Sequence, residues 1–359
     1  MIVYWMMFLV PMVIGLLPTT ADRTLSKVQW VMYSITLIIL VGLRDEVGGD
    51  WRNYISNYEH FNVIDFSDLF LTPHKSDYGF EIIYWVSANL SLGIYGTNFI
   101  CAIIFFAGLI RLCRYMPNPW ISLVVSMPYL VIVVSTGYTR QSVAIGVFMW
   151  GLVDLMQNKN FRFYLMIFLG ALFHKTLLIM SIIGYFYNSK KVKFYKTAIL
   201  TAILLSIPIL FLLYFPLYTS MLEHFIYFYI ENPYFQSKGA HIRIAMSVIP
   251  GVIFLFYRRK WDLVYGDARL WFVITLLVLF LFLFSFFAST FADRLALYLI
   301  PLQMVVYSRV LVFINSAKVR AILILMVFVA YFFSLFIWSN FGTHSISWFP
   351  YQNIIYSAF

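Results

Sequence analysis

Charge is scarce in this chain: Asp, Glu, Lys and Arg make up 11% of its 359 residues. A soluble domain must cover its exterior with polar side chains, and a composition that is 62% hydrophobic, with a mean hydropathy of +0.85, leaves too few of them. Cysteine is nearly missing as well. The two present, Cys101 and Cys113, share one apolar run, and along a helix that separation is about 18 Å, beyond the reach of a disulfide. No zinc-ligand spacing and no paired Asp-x-Asp motif occurs, so the sequence calls for neither a disulfide framework nor a metal, and no cofactor is expected. Long polar stretches are lacking too, which excludes a separate soluble catalytic domain. Any activity has to sit among apolar helices and their loops.

What the chain does have is apolar runs. Each crossing of a hydrocarbon core takes about 20 residues, and runs punctuated by charge place spans near 2–18, 28–43, 97–113, 120–135, 139–155, 161–173, 175–187, 196–218, 242–258, 270–290, 294–313 and 319–340. The expected fold is therefore an all-α polytopic membrane protein forming a single transmembrane domain over 1–359, with about 12 helices in a range of roughly 10–13. The first run, Ile2 to Leu17, lacks a basic leader and a small-residue cleavage site, and reads as a retained span. The runs at 161–173 and 175–187 are each too short to cross upright, so they form either one tilted helix or a broken pair. The stretch 80–95 carries Glu81, Asn89 and two serines beside tyrosine and tryptophan, which suits an interfacial or re-entrant helix.

Orientation follows from the basic residues. With both termini outside, the inner segments hold 17 of the 25 Lys and Arg residues against four acids, and the outer segments hold the remaining basic residues with eleven acids. The net charge of +10 thus records orientation. It does not indicate nucleic acid, and Arg258-Arg259-Lys260 reads as an inner-face anchor to membrane lipids. Two long outer loops result: 44–79 with its interfacial extension to 95, expected to form an ordered lid, and 219–241. The first carries Trp51, Tyr54, Tyr58, Phe61, Phe66 and Phe70.

Four of the arginines outside the inner clusters are expected at outer helix ends. Arg44 closes the second span beside Asp45 and Glu46; Arg140, Arg243 and Arg294 are expected at helix starts, Arg294 with Asp293 at its side. Each alone is explained by snorkelling or by a local ion pair. Together, at helix N-termini that already favour anions, they form a set matched to phosphate oxygens, since arginine offers a planar fork and stays charged. His174, in Phe173-His174-Lys175, stands at an outer turn where a histidine titrates near neutrality and can take a proton from a hydroxyl. A hydrogen-bonded interface histidine fits the same spacing. Asp50, Asp77 and Glu81 are alternative bases, and His60, His74, His224, His241 and His344 read as background.

The run Arg44-Asp45-Glu46-Val47-Gly48-Gly49-Asp50-Trp51-Arg52-Asn53-Tyr54 resembles the Arg-x-x-x-Gly-x-Asp-Tyr-x-x-Tyr signature of the EpsG-like family, which belongs with the Wzy-type polymerases of bacterial O-antigen and capsule repeat units. Trp51 stands where the family usually has tyrosine, and glycine is doubled at 48–49. Glu81, Arg140-Gln141, Phe173-His174 and Arg294 with Tyr298 follow in matching order along essentially the whole chain. The resemblance implies a glycosyltransferase at the periplasmic face of the bacterial inner membrane. It would join undecaprenyl-diphosphate-linked oligosaccharides by transfer to a non-reducing-end hydroxyl, with a chain-length regulator as partner. On that reading Arg140 and Arg294 hold the diphosphate, supported by Arg44 and Arg243, while His174 or Asp50 serves as base and Tyr54, Glu81 and Tyr298 line the substrate. Two other classes compete. A lipid-linked oligosaccharide flippase calls for internal repeats and polar residues through the membrane depth, and an O-antigen ligase for a large loop late in the chain.

Overall fold

A computed structural model describes residues 1–16, 23–61, 77–188, 236–237 and 239–357. The chain opens with α1 (Ile2–Leu16), α2 (Arg23–Gly42) and a two-residue strand β1 (Arg44–Asp45), followed by α3 (Trp51–Phe61) and α4 (Tyr78–Asn89). Next come α5 (Gly93–Tyr115) and α6 (Pro119–Ser126), which runs on through a π-helical stretch (Met127–Val134) into the single turn α7 (Ser135–Gly137). After α8 (Thr139–Met156) and α9 (Asn160–Ala171), a 3-10 helix (Lys175–Met180) leads into α10 (Ser181–Asn188). The later helices are α11 (Ala240–Tyr265), α12 (Ala268–Phe284), α13 (Ser289–Ala296), α14 (Pro301–Val310) and α15 (Ala317–Phe341), before strand β2 (Gln352–Asn353) and a last turn α16 (Ile354–Ser357). In lipid each backbone N–H and C=O must be satisfied within its own segment, so apolar runs of this length become helices. Their ends follow local chemistry: Pro119 takes a first-turn position in α6, the Ser316 hydroxyl accepts from the Val319 N–H, and Gly266 ends α11 in the left-handed conformation.

Five described segments are long and apolar enough to cross a membrane: Leu25–Gly42, Gly93–Tyr115, Pro119–Gly137, Ala240–Tyr265 and Ala317–Phe341. A sixth is the pair Ser289–Leu299 and Pro301–Phe313, bent by 44° at its break. Ile2–Leu16, Asn160–Ala171 and Ala268–Phe284 are shorter apolar helices. The chain is an all-α, multi-pass membrane protein. Several expected spans are altered in detail. The run 270–290 stops at Phe284 and a new helix begins at Ser289; the break holds Phe286 and Phe287, so hydropathy runs on through it. The stretch 161–187 is a broken pair, with its turn at His174. The expected span 196–218, the loop 219–235 and the middle of the first loop, 62–76, lie outside the described residues.

The contacts divide the chain into two compact units: Met1–Leu178 with Ile314–Phe359, and Ile179–Phe313. In the first unit nearly all residues of the continuous segment Pro119–Gly137 are buried, and α5 packs along α8. Arg111 fastens those two helices, its guanidinium forking onto Asp154 at 2.7 and 3.2 Å and lying 4.4 Å from the Trp150 ring. The C-terminal tail folds back into the same unit. β2 pairs antiparallel with β1, setting Arg44 opposite Asn353. The Trp348 indole N–H donates to Thr136 Oγ1 at 2.6 Å and to the Ile132 carbonyl at 3.2 Å.

In the second unit α11 packs on α12 and α14. Asp267, just before α12, gathers the indole N–H groups of Trp261 and Trp271 at 2.8 and 3.2 Å and both bonds from Arg309 Nη1 at 2.7 and 2.9 Å. The Arg309 guanidinium also lies 4.2 Å from the Tyr265 ring, so this buried charge is matched by a carboxylate and an aromatic face.

Candidate functional site in the first unit

The α7–α8 turn is where the first unit concentrates its polar side chains. Gly48 makes the approach possible: its φ is +110°, and a Cβ there would stand 2.3 Å from the Thr136 carbonyl oxygen. Of the doubled glycines, it is Gly48 that the backbone requires. Its N–H donates to the Ser347 carbonyl at 2.8 Å, so the early loop, the turn and the tail are tied at one place. Arg140 is the second residue of α8, where backbone N–H groups have no partner within the helix. Its own backbone N–H reaches the Tyr54 hydroxyl. Burial pushes the Tyr54 phenol up to about 12, further raised by Asp50 and opposed by Arg140 and Arg44. Tyr54 is therefore a neutral, buried brace under Arg140.

The Arg140 side chain is 36% exposed and meets the Asp77 carboxylate at 3.6 Å, a loose ion pair. Asp77 precedes α4 and also accepts from the Lys175 backbone N–H, and Glu81 lies within electrostatic reach of it. Burial raises the Asp77 pKa, while Arg140 and Lys175 pull it back down. The Gly79 N–H donates to the Leu172 carbonyl at 2.7 Å, which fixes the start of α4 against the turn holding His174. His174 Nδ1 shares a 2.6 Å hydrogen bond with Thr176 Oγ1. Asp50, Tyr54, Glu81, Arg140 and His174, all expected site residues, thus sit in one unit around Asp77 and the head of α8. Glu81 and Tyr54 are buried, and Asp50 and His174 are partly exposed.

Arg44 occupies a different place from the one expected. It does not pair with Asp45 or Glu46 at a loop surface; it is fully buried beneath the site. Its Nε donates to the Val47 carbonyl at 3.3 Å, its Nη1 to the Val41 carbonyl at 2.6 Å, and its Nη2 to Asn98 Oδ1 and Thr139 Oγ1 at 3.1 and 2.8 Å. Arg44 therefore positions the head of α8. Asp45 is taken up by the Tyr95 hydroxyl at 2.8 Å. The aromatic residues of the first loop are also committed: Trp51, Tyr54, Phe80 and Tyr84 form a buried cluster against which Tyr58 and Trp85 pack. Phe66 and Phe70 lie outside the described residues.

The remaining expected residues belong to the second unit. Arg243, in the first turn of α11, forks onto Asp293 and also bonds the Ser237 hydroxyl. Asp293 thus pairs with Arg243, although Arg294 is its neighbour in sequence. Arg294 is not at a helix start: because α13 begins at Ser289, it falls in the last turn, where it is exposed. Tyr298 is buried in the following 3-10 turn. Asn98, Thr139 and Trp348 carry parts of the site that spacing alone did not assign, and Asp77, read as an alternative base, stands against Arg140. Asn98 is the one with a readable signal, an amide inside an apolar helix. Among the described residues, no three His, Cys, Asp or Glu side chains gather closely enough to hold a metal ion.

A multi-pass helical membrane protein with a cationic helix head, braced from three parts of the chain, is the class that these features define. A profile of the EpsG family matches residues 27–353, nearly the whole chain. The chain belongs to the EpsG family, and membership suggests a polysaccharide polymerase-like, glycosyltransferase-like role. No curated protein and no solved structure matches it.

Proposed function

We propose that the chain polymerises lipid-linked oligosaccharide repeat units of an O-antigen or related surface polysaccharide, at the periplasmic face of the bacterial inner membrane. The observation that carries this reading is the head of α8: Arg140, one-third exposed in the first turn of the helix, with Asp50, Asp77, Glu81 and His174 placed about it. In the transfer, the bond from the sugar anomeric carbon to the undecaprenyl diphosphate breaks and a bond to the acceptor hydroxyl forms. The hydroxyl proton passes to a base, and the lipid diphosphate leaves carrying the negative charge. Arg140 stabilises that growing charge, because a cation fixed before the reaction needs no reorganisation during it. Arg294, exposed in the second unit, is a further candidate for a phosphate contact.

His174 is the favoured base. In the tautomer whose Nδ1–H donates to Thr176 Oγ1, the lone pair on Nε2 is the one that accepts the proton. Asp50 and Glu81 are the alternatives. Arg44 and Tyr54 act beneath the site as positioning residues. Membrane lipids surround the helices, and a chain-length regulator is the expected protein partner. The test is the surface polysaccharide of a strain lacking the gene, complemented by wild type or by Arg140→Ala at equal membrane levels. The reading predicts a single repeat unit on the core in the deletion strain, a restored ladder with wild type, and no ladder with Arg140→Ala. A deletion strain with no repeat unit on the core at all would transfer the assignment to a flippase or a ligase.

A further inference from the structure

Arg44 has an electrostatic surplus that the rest of the site does not explain. Its guanidinium is fully buried, and burial lowers its pKa only to about 10, so it is charged at neutral pH. The groups that bear most on that charge are Tyr54, Cys101, Tyr4 and Tyr351, all uncharged near neutrality, and among the described residues no carboxylate is bonded to it. Arg309 in the second unit, equally buried, has Asp267 on two bonds. A buried charge without an opposite charge is costly, and four carbonyl, amide and hydroxyl dipoles give Arg44 acceptors but no counter-ion.

The neighbouring side chains add donors. Among the described residues, Asn98, whose Oδ1 accepts from Arg44, has no hydrogen-bond partner for its Nδ2, and neither has the Trp51 Nε1, on a ring 5.9 Å from the guanidinium carbon. The Thr97 hydroxyl, one residue before Asn98, has no partner among them either. Asn98, Trp51 and Thr97 are 1%, 6% and 0% exposed, so bulk water does not satisfy these atoms. A guanidinium has five N–H groups, and the four bonds named leave one on Nη1. The surplus is donors and positive charge. A water molecule placed among donors needs acceptors for its own two hydrogens; a small anion needs none.

We propose that a monovalent inorganic anion of chloride size binds beside Arg44, held by Nη1 of Arg44, Nδ2 of Asn98 and Nε1 of Trp51. It neutralises the arginine that fixes Thr139, the residue before Arg140. The site is structural and independent of the transferase reading.

The full-length protein in detergent is heated in sodium chloride or in sodium gluconate at constant ionic strength, and the fraction still monodisperse is followed. In wild type the midpoint rises by a few degrees as chloride replaces gluconate, and bromide substitutes for chloride. Asn98→Asp supplies a built-in carboxylate, so its midpoint in gluconate equals or exceeds that of wild type in chloride and gains nothing from chloride. Trp51→Phe keeps the ring but removes the donor, and needs several-fold more chloride for half the effect. Equal wild-type midpoints in the two salts mean that water or nothing fills the place and overturn the proposal. So does an Asn98→Asp variant that retains the full chloride gain, or a Trp51→Phe variant with an unchanged chloride requirement.

Discussion

Two arginines near helix starts, one in each unit, show how differently the same residue can be used. Arg243 is closed off: Asp293 takes two of its nitrogens and Ser237 shares one of them, which leaves the fork already filled by a carboxylate of its own chain. Arg140 meets the Asp77 carboxylate at 3.6 Å, a longer approach than that of Arg243 to Asp293, and keeps a third of its side chain exposed. A second contrast runs between the buried pair. Arg309 is neutralised by Asp267 and wrapped by rings, while among the described residues Arg44 is fastened by neutral acceptors. Sequence position near a helix end therefore does not distinguish a ligand-binding arginine from a structural one. What distinguishes them is whether the fork is already occupied by an acid of the same chain.

The largest effect is expected at Arg140. Arg140→Ala should lower transfer by about 10²–10³-fold, the usual loss on removing a fixed donor to a developing anion, with the thermal midpoint held. Arg140→Lys should recover little, since lysine presents a point charge in place of a fork. Full polymer length in the lysine variant would contradict fork-like phosphate binding. Next comes the second unit's buried pair: Asp267→Ala strands Arg309 and should cost about 3–5 kcal/mol, read as loss of folded protein from the membrane. Replacing both partners by apolar residues should recover most of that loss, and a double variant as poor as the single one would show that the pair matters beyond charge balance.

A glycine probe tests the turn. Gly48→Ala combines a left-handed φ with a Cβ 2.3 Å from the Thr136 carbonyl, so it should lower activity more than stability by shifting the head of α8. Equal activity per folded molecule would separate Gly48 from the site. Arg243→Ala is expected to cost about 1 kcal/mol, as a partly exposed ion pair does, and to lower transfer less than tenfold. A loss matching that of Arg140→Ala would erase the comparison between the two arginines. The smallest effect belongs to Asp77→Asn. Because burial raises the pKa of Asp77, it takes up its proton at a higher pH than an ordinary aspartate, and protonation removes the competitor for Arg140. Wild-type apparent KM for the donor should therefore fall as pH drops through that raised pKa, whereas Asp77→Asn should show a KM a few-fold lower and flat over the same window. Parallel curves would place Asp77 outside phosphate binding.

Much of this architecture was legible because charge is so rare. The ends of α5, α8 and α15 fall within a few residues of where the apolar runs end, and the polar His174-Lys175 step marks the break between α9 and the helix after it. Glu81 and Asn89 likewise mark α4 as a short helix, ending at Asn89. Breaks with apolar flanks left no trace. The interruption between Phe284 and Ser289 is hidden by Phe286 and Phe287, and that misplaced Arg294 at a helix start. Partner choice was illegible for a different reason: pairing was inferred between sequence neighbours, but Asp293 pairs with Arg243 and Asp45 with Tyr95. The π-helical stretch and the returning tail, with Trp348 on Thr136 and Asn353 opposite Arg44, are tertiary facts carried by no periodicity.

The account rests on transfer taking place at the head of α8, and the direct measurement is transfer itself. The purified chain, reconstituted in vesicles, is given a labelled lipid-linked oligosaccharide, and product lengths are resolved for wild type and Arg140→Ala at equal folded amounts. The account predicts products extended by whole repeats, with release of the lipid diphosphate, for wild type and none above background for Arg140→Ala. Extension by Arg140→Ala at the wild-type rate would contradict it.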